Sequence, residues 1–403
     1  MGIRLGLVGL GAFGSSFAPL FKSHPLVDSI ALCDAEPERL AAWANRPSFS
    51  DKLDRRNVYE SLDGILDSDV DAVAIITQPW FHAEQAVRAM EHGKHVYSAV
   101  PVVTLPDGNE ILDWCAKLVE TSRTTGRSYM LGETTYYRPE AMYCRRRAAE
   151  GAFGDFVYAE GEYFHDVEHG LREVKARREG SASGRMWLER ARAYAERGIL
   201  GGPMHYPTHS TSGPVCVMNA RAVKVSGFAY YGKSDADWHE GAPSNETALF
   251  LMSNGASVRI CEYREIGHQS RETFRVYGTA GSFENGTWCD KHSTRPVTEA
   301  DMRDPLPKEV ADAFRSEIRI GDGASARLSE QEEIDFLGGH GGSHAYLVHE
   351  FVSAVAEGRQ PAINVREAAR YMAMGVVAHQ SALRDGELLD VPDFGEDPDW
   401  REA

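Results

Sequence analysis

His205 and His209 stand four residues apart in Gly201-Gly202-Pro203-Met204-His205-Tyr206-Pro207-Thr208-His209, with a tyrosine between them. On a helix that spacing puts both imidazoles on one face, a geometry that can bind zinc. No HExxH pattern or third ligand accompanies the pair, and Pro207 allows a helix only if it falls in the first turn. No metal is therefore expected. Proton transfer is the better use: an imidazole titrates near neutrality unaided, which makes His209 a candidate base. Tyr206, with an ordinary pKa of about 10, needs a cationic or hydrogen-bonding neighbour to serve the same way. Glu133 follows the apolar pair Met130-Leu131, and a buried acid there must be paired, with Arg138 and Arg145 close in sequence.

A second constellation suits phosphate. The loop Gly9-Leu10-Gly11-Ala12-Phe13-Gly14 lies between the apolar run Ile3 to Val8 and the helically spaced Phe13, Phe17, Leu20 and Phe21. Gly9 allows the tight turn, Gly11 lets backbone approach a pyrophosphate, and Gly14 lets helix pack on strand. Ala12 and Phe13 complete the cofactor-facing loop, and the helix start offers free N–H groups. Asp34 ends a second apolar run, Ser29 to Cys33, twenty residues past Gly14. A carboxylate there accepts bonds from ribose hydroxyls and repels a 2′-phosphate, and Ala35 offers no cation to offset it. NAD, not NADP, is the predicted cofactor.

The elements that must hold these groups alternate. Asp71 to Ile76 is a third buried run, Ala86, Val87 and Met90 follow at helical spacing, and Gly93 precedes the run His95 to Tyr97. Such alternation predicts a doubly wound parallel sheet whose crevice opens at the carboxyl ends of the strands. Thr77, Gln78, His82 and the segment Ser98 to Pro101 are expected to line it. A chain of 403 residues is long for one core, so two domains are expected. Its net charge of −17 argues against nucleic acid and anionic membrane as partners. Scattered cysteines without a CxxC pair, no apolar run of about 20 residues, and no cleavable-signal pattern predict a cytoplasmic protein. Val157 to Phe164 alternates as a strand should, and Leu171 to Arg197 reads as a solvated helical surface. Asp290 to Leu337 reads as a polar excursion or long loop. Asn364 with Glu367 forms a capping-box start for a late helix.

The glycine loop, Asp34, Thr77-Gln78-Pro79 with His82, and Gly93-Lys94-His95-Val96 resemble the glucose–fructose oxidoreductase / inositol dehydrogenase / MocA (Gfo/Idh/MocA) family over essentially the whole chain. The resemblance implies an α/β protein: a Rossmann domain over 1–130 and an α+β substrate domain over 131–403 with an open, mainly antiparallel sheet. It also implies homodimers or homotetramers, and oxidation or reduction of a secondary alcohol on a sugar, glycoside or cyclitol. Two departures stand out. Most members carry Glu-Lys-Pro where this chain has Ala99-Val100-Pro101, and an Asp where it has His205. Both look like the branch of NAD-dependent glycosidases related to α-N-acetylgalactosaminidase. So do Glu133 after Met130-Leu131-Gly132, Tyr163 in Gly161-Glu162-Tyr163-Phe164, and His340 in Gly338-Gly339-His340-Gly341-Gly342. In that branch the matching Glu, two Tyr and His surround the sugar, and His340 falls beside the substrate. The first expectation is therefore an NAD-dependent oxidoreductase. The alternative is a glycosidase working by oxidation at C3, elimination, hydration and re-reduction, with Glu133, His205 or Tyr163 as a second proton-handling group. A non-catalytic nucleotide sensor is the third reading, and the retained polar residues argue against it.

Overall fold

Short apolar runs bounded by glycine make the N-terminal strands, as burial on both faces of a parallel sheet demands. The computed structural model describes residues 2–233, 236–239, 241–322 and 338–395. Strands β1 (Ile3–Val8), β2 (Val27–Cys33), β3 (Leu53–Tyr59), β4 (Ala72–Ile75), β5 (His95–Ser98) and β6 (Tyr129–Leu131) pair in the order β3-β2-β1-β4-β5-β6. Every pairing is parallel. The connections carry helices α1 (Gly14–Ser23), α2 (Pro37–Ala44), α3 (Leu62–Leu66), α4 (His82–Glu91) and α5 (Gly108–Thr125). Strand order reverses between β1 and β4, so the crevice opens where the glycine loop and Thr77-Gln78 emerge.

After α6 (Pro139–Ala149) the chain builds a second sheet. Strand β7 (Phe156–Phe164) leads into α7 (Arg172–Glu179), α8 (Ala182–Glu196) and α9 (Thr208–Met218). Then come β8 (Ala222–Tyr230), β9 (Asn245–Met252), β10 (Ser257–Tyr263), β11 (Arg271–Gly278), β12 (Gly281–Glu284), β13 (Thr287–Asp290), β14 (Thr294–Pro296) and, near the end, β15 (Leu389–Asp390). Their order is β14-β13-β12-β11-β7-β10-β9-β8-β15, and β7 with β10 is the parallel pair among antiparallel ones.

Register aligns four polar side chains in one row across this sheet. Glu246 on β9 opposes Glu262 on β10, which opposes Tyr163 on β7, which opposes Glu272 on β11. The row faces α9, because the apolar residues in phase with it, Phe250, Ile260 and Val276 among them, are buried. Helix α9 lies so close that a Cβ on Gly161 would sit 1.8 Å from the Ser210 carbonyl oxygen. The other face stays open, with Phe228, Tyr230, Leu249 and Leu251 exposed.

The helix Gly339–Glu357 returns to pack on α1, and the helix Val365–Ala382 packs on α5, β8 and α9. Asn364 caps the latter through its side-chain oxygen, which accepts from the Arg366 and Glu367 amides. The expected long loop over 290–337 is not one. It holds β14 and the helices Glu299–Met302 and Lys308–Asp322, with 323–337 outside the described residues. Its apolar residues Met302, Val310 and Phe314 are buried, a spacing too sparse to read among so many charges.

Because α9 carries His209, the Gly161 contact is a lever on the site. Gly161→Ala is expected to cost about 1–3 kcal/mol through overpacking. A thermal melt should show the loss, and NAD binding by the Rossmann sheet should persist while turnover falls.

Candidate functional site

The glycine loop has the shape a dinucleotide needs. Gly9 sits at φ +93°, and a Cβ there would lie 2.4 Å from the Ile76 carbonyl oxygen. Nothing lies within 4 Å of where a Gly11 Cβ would be, so the face that meets a pyrophosphate is open. Helix α1 starts without a side-chain cap; its Ser15 and Ser16 amides turn back to the Gly11 and Phe13 carbonyls, so the glycine loop ahead of them is the part that faces an anion. Asp34 is buried, accepts from the Leu10 and Glu36 amides at 2.7 and 2.9 Å, and so fixes the loop to β2. Sequence reasoning found no cation near it, yet Arg39, one turn into α2, reaches its carboxylate at 3.1 Å. The residues present fit NAD.

The crevice floor is assembled by His82, whose Nδ1 lies 2.9 Å from the Pro101 carbonyl and whose Nε2 lies 3.2 Å from the Thr77 carbonyl. Burial pushes this imidazole down to about 4, so it is neutral and braces the two strand ends. Thr77 donates through its hydroxyl to Gln85, and the Gln78 carbonyl accepts from the Phe81 amide. Valine, where the resemblance expects lysine, is buried, and the Tyr206 hydroxyl reaches its carbonyl at 3.4 Å.

Four of the five residues expected to be catalytic converge. His209 Nδ1 donates to Glu133 Oε1 at 2.9 Å, in a pair 6% and 0% exposed. The Tyr163 ring lies 4.8 Å and the Tyr206 ring 5.6 Å from the imidazole, centroid to centroid. His340 stacks on His209 at 6.2 Å, and Phe13 of the glycine loop meets His340 edge-on at the same distance. The cluster thus abuts the cofactor loop. The Tyr163 hydroxyl donates to His165 Nδ1 at 2.9 Å, an imidazole that burial holds down near 4.

His205 is not among them. Residues Pro203–His205 form a separate 3-10 turn and the helix starts at Thr208, so Pro207 splits the two histidines and they share no face. The His205 Nδ1 donates to the Leu105 carbonyl at 2.9 Å, and its ring packs 4.5 Å from His379, which pairs with Glu246. Burial pushes His205 down to about 3.

Glu133 pairs with neither of the arginines close to it in sequence. Arg138 binds Glu272 at 2.5 Å, and Arg145 lies over the Tyr136 ring at 3.8 Å. Glu272, unremarked in the sequence, accepts from the Thr135 hydroxyl at 2.5 Å and stands 3.6 Å from His209 Nδ1. The available signal was a charge in the inward phase of β11, shared with Val276. Glu133, His209 and Glu272 offer ligand atoms within 4.8 Å of one another. The imidazole proton and Arg138 already engage those atoms by hydrogen bonds and ion pairing, so the set is organised around a proton.

The electrostatics follow. Burial opposes a charged His209, but Glu133 and then Glu272 outweigh it and lift the imidazole to about 9. Burial opposes a charged Glu133 too, and His209 outweighs it, bringing the carboxyl down to about 2. At neutral pH this is an ion pair, not the neutral imidazole expected of an unaided histidine. Burial pushes the Tyr206 phenol up to about 12, with Glu133 adding to it and Arg178 and Arg264 pulling back. Tyr163 is pushed up further, for the same first reason.

Comparison with known proteins fits this geometry. Residues 3–132 match the oxidoreductase family, NAD-binding Rossmann fold, and residues 328–401 match the C-terminal domain of glycosyl hydrolase 109. The first match is to the Gfo/Idh/MocA Rossmann domain and the second to the glycosyl hydrolase 109 C-terminal domain, the family and branch that the sequence motifs resemble. A glycosyl hydrolase family 109 protein of Streptomyces niveus is 29% identical over 409 residues, covering 97% of this chain and 77% of its own. Another, of Bacteroides thetaiotaomicron, is 25% identical, covering 97% and 84%. Among solved structures, an aldose-aldose oxidoreductase of Caulobacter crescentus superposes with TM-score 0.69 at 16% identity, over 97% of this chain and 100% of that one. A scyllo-inositol dehydrogenase of Lactobacillus casei with bound NAD(H) and scyllo-inositol gives 0.65 at 16%, over 97% and 99%. These structures establish the shared fold, and the Rossmann match makes NAD the cofactor of this one.

The pair also sets a pH dependence. His209, raised on folding, adds stability fully present below pH 6.5 and lost as pH rises through about 9. Glu133, lowered on folding, adds stability present above pH 4.5 and lost as pH falls through about 2. His209→Ala, which leaves a buried carboxylate unpaired, should cost about 3–5 kcal/mol in denaturant titrations between those two limits. The difference from wild type should shrink above pH 9.

Proposed function

We propose that this enzyme moves a hydride between NAD and a carbon bearing a secondary hydroxyl in a sugar-type substrate. We propose further that the hydride returns within the same turnover, so that a glycosidic bond is cleaved with no net redox change. The observation that carries this reading is the charged His209, held between two carboxylates and flanked by Tyr163 and Tyr206, at a crevice whose expected lysine is a valine. NAD, when bound, supplies the hydride acceptor and later the donor. His209 supports the oxygen that passes from hydroxyl to carbonyl, and a cation beside that carbonyl acidifies the adjacent C–H. Tyr206, kept protonated by burial, is placed to hand a proton to a departing oxygen, and the neutral His165, bonded to the Tyr163 hydroxyl, is placed to accept through it the proton that oxidation or C–H cleavage releases. Glu133 holds the imidazole, and His340 closes the cluster toward the glycine loop. Alignment over 97% of the chain with proteins named glycosyl hydrolase family 109 favours recycling. A plain dehydrogenase, favoured by the fold it shares with an inositol dehydrogenase, uses the same first half.

Incubation with NAD and a panel of aryl glycosides tests this. Phenol release without accumulating NADH, with solvent deuterium appearing at C2 of the sugar, is the expected outcome. Stoichiometric NADH would establish the dehydrogenase instead. Tyr206→Phe and His209→Gln should each lower turnover at least 100-fold, on the order of what a proton-transfer group supplies.

Two wider features belong to the same reading. The six free cysteines suit the reducing cytoplasm. The open sheet face, with Phe228, Tyr230, Leu249 and Leu251 exposed, is the proposed surface between copies of the chain. Phe228→Glu with Leu249→Glu should reduce the mass measured by light scattering to that of one chain. An unaltered assembly would place the contact elsewhere.

A further inference from the structure

Glu272 reaches His209 from a different element than Glu133 does. Glu133 leaves the end of β6, while Glu272 stands on β11 directly opposite Tyr163 in the ladder. One residue brackets them: the Thr135 amide donates to Glu133 Oε1 at 2.9 Å and its hydroxyl donates to Glu272 Oε1 at 2.5 Å. Both oxygens therefore face the same imidazole nitrogen, at 2.9 and 3.6 Å. The other oxygen of Glu272 is held by Arg138 at 2.5 Å, and Arg138 also donates to the Glu272 backbone carbonyl at 3.1 Å.

We propose that Glu272 is a positioning residue: a second carboxylate that keeps His209 charged and fixes its ring, with Arg138 setting how strongly it does so. The inference rests on the proposed role of His209 and assigns to the sheet a function that Glu133 alone does not fill. With Nδ1 turned to the two carboxylates, Nε2 lies on the opposite edge of the ring, free for substrate.

The remaining charges around His209 do not supply this. Arg264, just past the end of β10, is taken by Glu262, whose carboxyl burial pushes up to about 7. Tyr163 and Tyr206 stay neutral for the reason already given, and His340 contributes a stacked ring from the helix Gly339–Glu357. Arg138 is the nearby cation that opposes His209, and Glu272 lies between the two.

The NAD-loaded protein with isotope-labelled histidine tests this without turnover. His209→Gln assigns the His209 ring signal, and its titration midpoint is then followed by NMR. Glu272→Gln, which keeps an acceptor for Thr135, should lower that midpoint by about one pH unit or more, the usual effect of one close opposite charge. Arg138→Gln should raise it, because Thr135 still holds Glu272 in place. Opposite signs are something a merely structural role would not produce. Once a substrate is in hand, Glu272→Gln should reduce kcat about threefold at pH 8.5 and leave it nearly unchanged at pH 6.5, as a one-unit fall from a midpoint of about 9 requires. If Glu272→Gln leaves the midpoint where it is, or both variants move it the same way, the proposal is wrong. Should Glu272→Gln fail to fold, the Arg138→Gln midpoint decides alone: a rise supports, no rise overturns. A midpoint that shifts as expected in a protein inactive on every glycoside would leave this inference standing and remove the glycosidase reading.

Discussion

A fully buried carboxylate has to be met by a positive charge or give up its own, and Glu133 is met by His209. That pair constrains more than the two residues. Glu133 leaves the last strand of the Rossmann sheet, and His209 sits in the first turn of the helix that lies on the second sheet. The pair can close only if α9 is pressed onto β7, which the missing side chain at Gly161 allows. It also fixes which edge of the imidazole faces protein, and hence which edge is left for a substrate.

The cofactor crevice and the proton-handling cluster share this anchoring. His82 ties the ends of β4 and β5 together, and the Tyr206 hydroxyl reaches the same strand end at Val100. From the other side, Phe13 touches His340 and His340 stacks on His209. Two links therefore join the ring that would hold charge near substrate to the segments that would hold NAD. One link ends on the Val100 carbonyl and the other on the Phe13 ring, so the cluster is tied to the cofactor segments by a hydrogen bond and a ring contact, while its charge is set by the buried carboxylates.

Much of this was legible in the sequence wherever one local rule decided. The glycine loop, Asp34, the strand–helix alternation and the Asn364 cap are short-range patterns, and each appears where expected. The convergence of Glu133, Tyr163, Tyr206 and His209 came from family resemblance, since strand β7 alone gives Tyr163 no reason to face a site. What stayed hidden depends on register. Glu272 opposes Tyr163 only because β11 pairs with β7, and no window of sequence contains that pairing. Arg39 at Asp34 escaped notice because the side chain reaches back from helix to strand end. His205 looked like a partner of His209 until Tyr206 and Pro207 broke the helical phase between them.

The loss of a lysine at position 100 is then less a loss than a transfer of charge. A lysine on the strand end would be a mobile cation, able to give up its proton during an oxidation. His209 is a cation held by two carboxylates, which resists deprotonation and is better at supporting negative charge on oxygen than at removing a proton. An oxidation that must run to completion favours the first arrangement. A carbonyl that exists only to acidify its neighbour, and is reduced again before release, favours the second. A cation held in place beside the reacting oxygen thus suits the recycling of hydride that we propose.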